Sequence, residues 1–427
     1  MPHTRFARLH SLSVARRMAQ LARLALLASL LAGMFAACTQ PATPALLDSQ
    51  TSFTTDVLAE LTPPPAYRIG LQTEVTGEGA QIGDLTLRAA RLAVEEVNAA
   101  GGVAGKAFEL VVRDVRSDPT TALAEYRTAL STDHLDALIG PFKSAYAVQI
   151  VPEHRQVELP MFIGATNSTL TEMNDHNLFR MRPSDRVTAA AMVAFALTVI
   201  DAQRIGVVYD TDAFGSGGAR RIREELAVTQ RAPSVEIGYV TGAPELDTIA
   251  RQLANTNIDA VLIYGTNGAD VGRLLRGLRY WKVNAAVITS PGGATVPAHN
   301  IAAEAQDGIY VVTDALLRSD ASGAAFVARF EARFGFTPDT YIAWVYDAIH
   351  LLADRWRQQP DAAQSTLSAL IREEAFHGVQ GVYRFDPNGD GLHSVVIVQM
   401  QDGIATPRAF FDGETCTLTL AHREQQP

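Results

Sequence analysis

The sequence has few of the residues on which several classes of protein depend. Its two cysteines, Cys38 and Cys416, are too few for a disulfide scaffold and too far apart for a cysteine zinc site. The histidines are scattered, and neither an H-E-x-x-H nor a G-x-S-x-G motif occurs. We therefore predict that the protein is not an enzyme and holds no metal or cofactor.

An excess of positive charge is also lacking. The formal net charge of the 427 residues is −10, although residues 1–37 contain five arginines and no acidic residue. Without that segment the chain is more acidic by five charges. Nucleic acids bind to basic surfaces, so we predict no nucleic-acid partner.

No apolar run reaches the roughly 20 residues that a membrane-spanning helix needs. The longest is "LALLASLLAGMFAA", about 14 residues, and it follows the N-terminal arginines as in a signal peptide. It ends directly before Cys38 and resembles a bacterial lipobox, with Phe35 where leucine is usual. We predict a signal peptide over 1–37, lipidation of Cys38, and a Thr- and Pro-rich tether over 38–66. A plain secretory signal with an incidental cysteine is the alternative.

From Arg68 onward, short apolar runs alternate with stretches that have helical spacing. "YRIGLQ" leads into a glycine-rich loop and then into "DLTLRAARLAVEEVNAAGG", which has apolar residues every three or four positions. "RIGVVYDTDAFGSGGARRIREEL" at 204–226 repeats this order. Strand–helix alternation is typical of parallel sheets covered by helices, so we predict an α/β protein with two similar lobes.

The C-terminal part differs from the two repeats. Residues 315–376 are mostly helical in pattern, and "GVYRFDPNGDG" and "HSVVIVQM" follow as strand, turn and strand. We interpret "DPNGDG" (386–391) as a hairpin turn. The segment is too small for a third lobe, and we expect it to pack on the other two.

The stretch "PMFIGATNSTLT" (160–171) raises the question of function. An apolar strand ends at Gly164 and is followed by small polar residues. These are ordinary turn and capping residues, but the end of a strand in a parallel sheet is also where ligands bind.

A resemblance to a known family favours the binding interpretation. The segments "IGLQTEVTGEGAQIG", "DALIGPFKSAYA", "LPMFIGATNSTLT", "FRMRPSD", "RIGVVYDTDAFGSGGA" and "YIAWVYDAIHLLADRW" resemble, in this order, the branched-chain amino-acid-binding (Leu/Ile/Val-binding) proteins, which are solute receptors of ABC importers. The resemblance covers about residues 67–400. It implies the type I periplasmic-binding fold, with two Rossmann-like parallel-sheet lobes joined by a three-stranded hinge. The N-terminal lobe would comprise 67–184 plus 314–380, and the C-terminal lobe 185–313 plus 381–427.

The same resemblance implies a ligand site between the lobes. In the family, a serine hydroxyl and groups at a strand end hold the amino-acid carboxylate, and these positions match Ser144, Gly164 and Thr166. The other matching positions are a residue near the lobe crossing, an aromatic cleft wall and a bulky pocket wall, which are Asp185, Phe214 and Ile82. A helix cap, a turn and core packing are the alternative interpretations of Ser144, Thr166 and Phe214.

The second lobe departs from the family pattern. Gly292 of "SPGG" stands where the family has a glutamate for the ligand's ammonium group, and Thr266 or Asn267 stands where it has an aromatic residue. A buried ammonium group without a counter-charge is costly, so an ordinary α-amino acid is in doubt as the ligand. The candidates for a replacement acid are Asp210, Asp212 and Asp270. The disulfide of some family members is absent, because Ser117 and Lys143 occupy its positions.

The prediction is an extracytoplasmic, lipid-anchored solute-binding protein of an ABC importer. It would capture a small polar solute (an amino acid or a related amide or carboxylate), close by hinge motion as a monomer, and present the solute to the permease subunits in the membrane. The alternatives are a ligand sensor of the same fold, and an envelope lipoprotein that regulates cell-wall synthesis without a solute.

Overall fold

A computed structural model describes residues 66–421. The first lobe contains the strands β1 (Ala66–Thr73), β2 (Ala107–Asp114), β3 (Ala137–Ile139), β4 (Met161–Ile163) and β5 (Leu178–Arg180). They form a parallel sheet in the order β2-β1-β3-β4-β5. The connecting helices are α1 (Ala80–Ala99), α2 (Pro119–Thr132) and α3 (Ser144–His154), and a short 3-10 helix spans Ser168–Met173.

Local sequence signals explain where these helices begin. Helix α2 has proline at its first position, where no N–H is needed, and the Asp118 carboxylate caps it by accepting from the backbone N–H of Thr121 at 2.7 Å. Helix α3 follows Lys143, whose side chain makes no capping bond. The start of α3 is therefore open to another acceptor.

The second lobe repeats the strand–helix plan. Its parallel strands are β6 (Ile205–Asp210), β7 (Val235–Tyr239), β8 (Ala260–Tyr264), β9 (Ala286–Thr289) and β10 (Tyr310–Thr313). Its helices are α4 (Asp185–Thr198), α5 (Ala213–Val228), α6 (Leu246–Ala254), α7 (Gly268–Tyr280) and α8 (Val296–Ala302), with 3-10 turns at Pro291–Ala294 and Ala303–Gln306.

The C-terminal segment packs on both lobes, as expected from its size. It contains α9 (Ala321–Phe334), a 3-10 turn (Thr340–Ile342), α10 (Ala343–Gln358), α11 (Gln364–Glu373) and the strands β11 (Phe376–His377), β12 (Val382–Tyr383), β13 (Ser394–Gln401), β14 (Ile404–Asp412) and β15 (Thr417–Leu420). Helix α10 buries Trp344 and Trp356 in the core of the first sheet. Strands β13–β15 extend the second sheet, which has the order β15-β14-β13-β10-β9-β8-β6-β7.

A tight turn is present at 386–391, as predicted: the backbone N–H of Gly389 donates to the carbonyl of Asp386, and that of Arg384 donates to the carbonyl of Gly391. The strands β12 and β13 on either side of it do not pair with each other. Strand β12 pairs with β11, whereas β13 pairs with β10 and β14 of the second sheet. The loop is held by the first lobe, where Asp390 forms an ion pair with the buried Arg180 at 2.7 Å. The two strands therefore belong to different sheets, and the loop forms part of a passage between them.

The chain passes between the two sheets three times, at 180–185, at 313–321 and at 383–394. The predicted fold, two Rossmann-like α/β lobes joined by three segments, is confirmed. The predicted signal peptide, the lipidation site Cys38 and all of the tether except residue 66 lie outside the described residues. None of the helices within 66–421 is long and apolar enough to cross a membrane.

Candidate functional site

The carboxyl ends of the strands of both lobes face a common cavity of about 340 Å³. This is the expected place for a ligand in an open parallel sheet, because helix N-termini gather there. Seven of the nine predicted binding residues line this interlobe cleft: Ile82, Ser144, Thr166, Phe214, Thr266, Asn267 and Gly292.

The N-terminus of α3 supplies a set of hydrogen-bond donors to the cleft. The backbone N–H groups of Tyr146 and Ala147 are the first in the helix to be paired, and both donate to the carbonyl of Lys143. The N–H groups of Ser144 and Ala145 precede these bonds, have no acceptor among residues 66–421, and are available to a ligand. The Ser144 hydroxyl oxygen accepts from the backbone N–H of Asn167 at 3.2 Å, which leaves its proton to be donated. A carboxylate fits these donors and the positive end of the helix dipole.

The loop after β4 joins the two lobes beside this helix end. Thr166 lines the cleft, and its carbonyl accepts from the backbone N–H of Asp185 at the start of α4. The amide of Asn167 donates to the carbonyl of Ala213 in the second lobe at 2.6 Å. The small polar residues that follow Gly164 therefore both line the cleft and bridge the lobes.

Aromatic side chains form the apolar walls. Phe214 lies at the start of α5 and packs on Tyr264, with ring centroids 4.8 Å apart. Phe142 and Tyr341 face the cleft from the first lobe, and Ile82 of α1 lies beside its core. Phe214 therefore both packs against the core of the second lobe and lines the cleft.

The structure places Gly164 and Asp185 outside the cavity lining. Gly164 is buried against Phe142 and Trp344; its N–H donates to the carbonyl of Pro141, and its carbonyl accepts from Arg182 at 3.2 Å. Both of its backbone groups are therefore used inside the protein. Burial raises the pKa of the Asp185 carboxyl to about 6, and its Oδ1 accepts from the Tyr264 hydroxyl at 2.8 Å.

The second-lobe wall has polar groups that are already paired. Asn267 caps α7 through bonds from the backbone N–H groups of Ala269 and Asp270. Thr266 donates its hydroxyl to Asp212 Oδ2 at 2.7 Å, and the Gly215 N–H donates to Asp212 Oδ1 at 2.8 Å. At Gly292 a side chain is excluded, because a Cβ atom there would collide with the carbonyl oxygen of Gly265.

Of the three candidate replacement acids, only Asp212 lines the cleft. Asp210 accepts from the Thr241 hydroxyl at 2.6 Å, and burial together with the charge of Asp212 raises its pKa to about 6. Asp270 is fully buried, where it accepts from the backbone N–H of Gly242 and forms an ion pair with Arg273. Neither of these two carboxyls reaches the cavity.

Sequence reasoning missed a charged cluster on the first-lobe wall. Glu74, which directly follows β1, is only 3% exposed and lines the cleft. Its Oε1 accepts from Lys143 Nζ and from the Tyr146 hydroxyl, each at 2.7 Å. A lone glutamate in a loop gave no signal of this pairing. A clue was available in Lys143, a charged residue directly before a predicted helix at the end of a strand.

A buried ion pair at the hinge was also not predicted from the sequence. Arg182 donates to Asp314 at 2.5 Å and 3.3 Å, so it connects two of the three passages between the lobes. Its guanidinium lies near the rings of Phe142 and Tyr341, 5.1 Å and 4.9 Å from their centroids. Arg182 therefore anchors two aromatic cleft walls to the hinge.

Comparisons with known proteins agree with this geometry. The curated relatives include an amino acid binding protein of Pseudomonas aeruginosa, 25% identical over 325 residues, covering 75% of this chain and 86% of that protein. They also include the leucine-specific-binding protein of Salmonella typhimurium, 25% identical over 343 residues, covering 79% and 92% of the two chains. Among solved structures, a leucine binding protein from Thermotoga maritima matches with a TM-score of 0.75 at 23% identity, over 82% of this chain and 100% of that one.

The fold and the interlobe cleft define a two-lobed α/β protein of the type I periplasmic-binding class. A family model described as "Periplasmic binding protein" matches residues 66–404, and the chain belongs to this family. The resemblance to Leu/Ile/Val-binding proteins is confirmed at the level of the family.

Proposed function

We propose that the protein is an extracytoplasmic solute-binding protein of an ABC importer and that its ligand is a small polar solute bearing a carboxylate. The solute is held in the cleft between the lobes and presented to the permease subunits in the membrane. The protein acts as a monomer and catalyses no covalent chemistry. Acylated Cys38 and the tether keep it at the outer face of the cell membrane.

The single observation that supports this most strongly is the start of α3. Two backbone N–H groups without an acceptor among residues 66–421 and the hydroxyl of Ser144 line a cavity of about 340 Å³, together with the ammonium group of Lys143, which is paired with Glu74. Such a group of donors attracts an anion, and a carboxylate matches its size and charge. Phe142, Phe214 and Tyr341 then surround the less polar part of the solute.

The test is a thermal-unfolding screen of the purified protein against amino acids, small amides, ureas and simple carboxylates. A ligand present at 100 times its dissociation constant stabilises the folded state by about 2.7 kcal/mol, which raises the melting temperature measurably. We expect a shift with at least one carboxylate-bearing class and none with its neutral ester. A shift with no class at all contradicts solute binding and favours the scaffold interpretation.

A further inference from the structure

Glu74 is an acid of the cleft wall that is buried and only partly satisfied. Both hydrogen bonds to its carboxylate, from Lys143 and Tyr146, are made to Oε1. Within residues 66–421, no protein donor contacts Oε2, although the side chain is 4% exposed. This oxygen is not one of the buried polar atoms without a partner, so it is reached from the cavity that Glu74 lines, and a ligand there is able to donate to it.

Neighbouring residues hold the Glu74 carboxylate in place. It lies against the start of α1, where any side chain at Gly79 would overlap it. Burial and the neighbouring Glu74 charge raise the pKa of Tyr146 far above its ordinary value, so its hydroxyl stays protonated and remains a donor to Glu74. Two segments, the starts of α1 and of α3, thus position the Glu74 carboxylate at the wall of the cleft.

The position where an acid for an ammonium group is expected does not provide one, because Gly292 has no side chain. Glu78 lines the cleft, but its side chain is exposed to solvent, where an ion pair contributes little. An ammonium group held inside the cleft therefore needs a different partner.

The two remaining acids of the described cleft lining differ in how their oxygens are used. Asp212 accepts one hydrogen bond at each oxygen, from the Gly215 N–H and from the Thr266 hydroxyl. Glu74 accepts both of its hydrogen bonds at one oxygen and keeps the other free. Glu74 is therefore the better partner for an ammonium group in the cleft.

We propose that Glu74 replaces the missing second-lobe acid, and that the solute is zwitterionic, with its ammonium group on Glu74 Oε2 and its carboxylate at the start of α3. This rests on the proposed function. The ion pair of Glu74 and Lys143 presents one charge of each sign to the cavity. A carboxylate without an amine would face the charge of Glu74, and an amine without a carboxylate would face that of Lys143. A zwitterion matches both.

The experiment compares two solutes on two proteins. The amino acid that gives the largest thermal shift is titrated by calorimetry beside its 2-hydroxy acid, in which a hydroxyl replaces the ammonium group. In the unmodified protein we expect the hydroxy acid to bind about 10- to 100-fold more weakly, as a charge-assisted hydrogen bond is lost. Glu74→Gln should weaken binding of the amino acid by a similar factor and change binding of the hydroxy acid little, so that the preference for the amino acid disappears. Glu158→Gln, the same change at an exposed position, is the control.

Equal affinity of the unmodified protein for the two solutes overturns the role of Glu74 and leaves solute binding intact. The role of Glu74 is also overturned if the Glu74→Gln variant keeps the full preference for the amino acid over the hydroxy acid. Circular dichroism checks that this variant is folded. If the variant does not fold, the comparison on the unmodified protein decides alone. Binding of simple carboxylates but of no amino acid also overturns the inference, whereas binding of no solute at all overturns the proposed function and the inference with it.

Discussion

At the scale of single residues, Gly292 and Glu74 show on which lobe the cleft carries an acid. The backbone at Gly292 approaches the carbonyl of Gly265 so closely that no side chain fits. The backbone therefore leaves no room for an acidic side chain at this position, and substitution of Gly292 alone does not introduce one. The buried acid of the cleft wall is instead Glu74, on the opposite lobe.

The close approach at Gly292 predicts the effect of a methyl group. Gly292→Ala should lower the free energy of unfolding by about 1–3 kcal/mol, because a backbone oxygen has little freedom to move away. Gly206→Ala is the matched control, since its added Cβ would meet only side-chain atoms, the nearest at 3.2 Å. Urea denaturation of both variants measures the difference. An equal cost at the two positions would contradict the packing at Gly292.

At the scale of helices and strands, much of the structure was predictable. The strand–helix order follows from local apolar patterns. Ser144 and Thr166, which the family resemblance suggested, line the cleft at the ends of the parallel strands. The pairing of β13 was not predictable from the turn before it, because its partners β10 and β14 are chosen by packing in the second sheet. The role of Glu74 depends on Lys143 and Tyr146, 69 and 72 residues away in the chain, and no local pattern encodes that contact.

Helix α4 begins with a carboxyl that affects stability as a function of pH. Burial raises the pKa of Asp185 from its ordinary value near 4 to about 6 in the folded protein. The folded state therefore holds this proton more tightly than the unfolded state, and the favourable contribution below pH 4 is lost as the pH rises through 6. A shift of about two pKa units corresponds to about 3 kcal/mol.

Asp185→Asn removes this titration while keeping the acceptor for Tyr264. We expect the variant to gain stability relative to the unmodified protein between pH 4 and pH 7, by up to about 3 kcal/mol. Urea denaturation at several pH values measures the gain, with Glu158→Gln as an exposed control. A difference between variant and unmodified protein that is constant over this range would contradict the raised pKa.

At the scale of the whole molecule, contacts between α5 and the segment after β4 join the two lobes. Arg221 of α5 donates to the Ser168 hydroxyl at 2.8 Å and forms an ion pair with Glu172, both in the first lobe. The hinge side carries the buried pair of Arg182 and Asp314. We expect the bonds of Arg221 to be lost when the lobes move apart.

Calorimetric titration of the best solute tests the central claim, that the lobes close on a solute, most directly. The account predicts one site per chain and a dissociation constant about 3- to 10-fold higher in Arg221→Gln, which loses these closure contacts. Arg220→Gln on the same helix, whose partner is Glu224, should bind as the unmodified protein does. Equal affinity in all three proteins would contradict closure through this contact, and the absence of binding to the unmodified protein would contradict the claim itself.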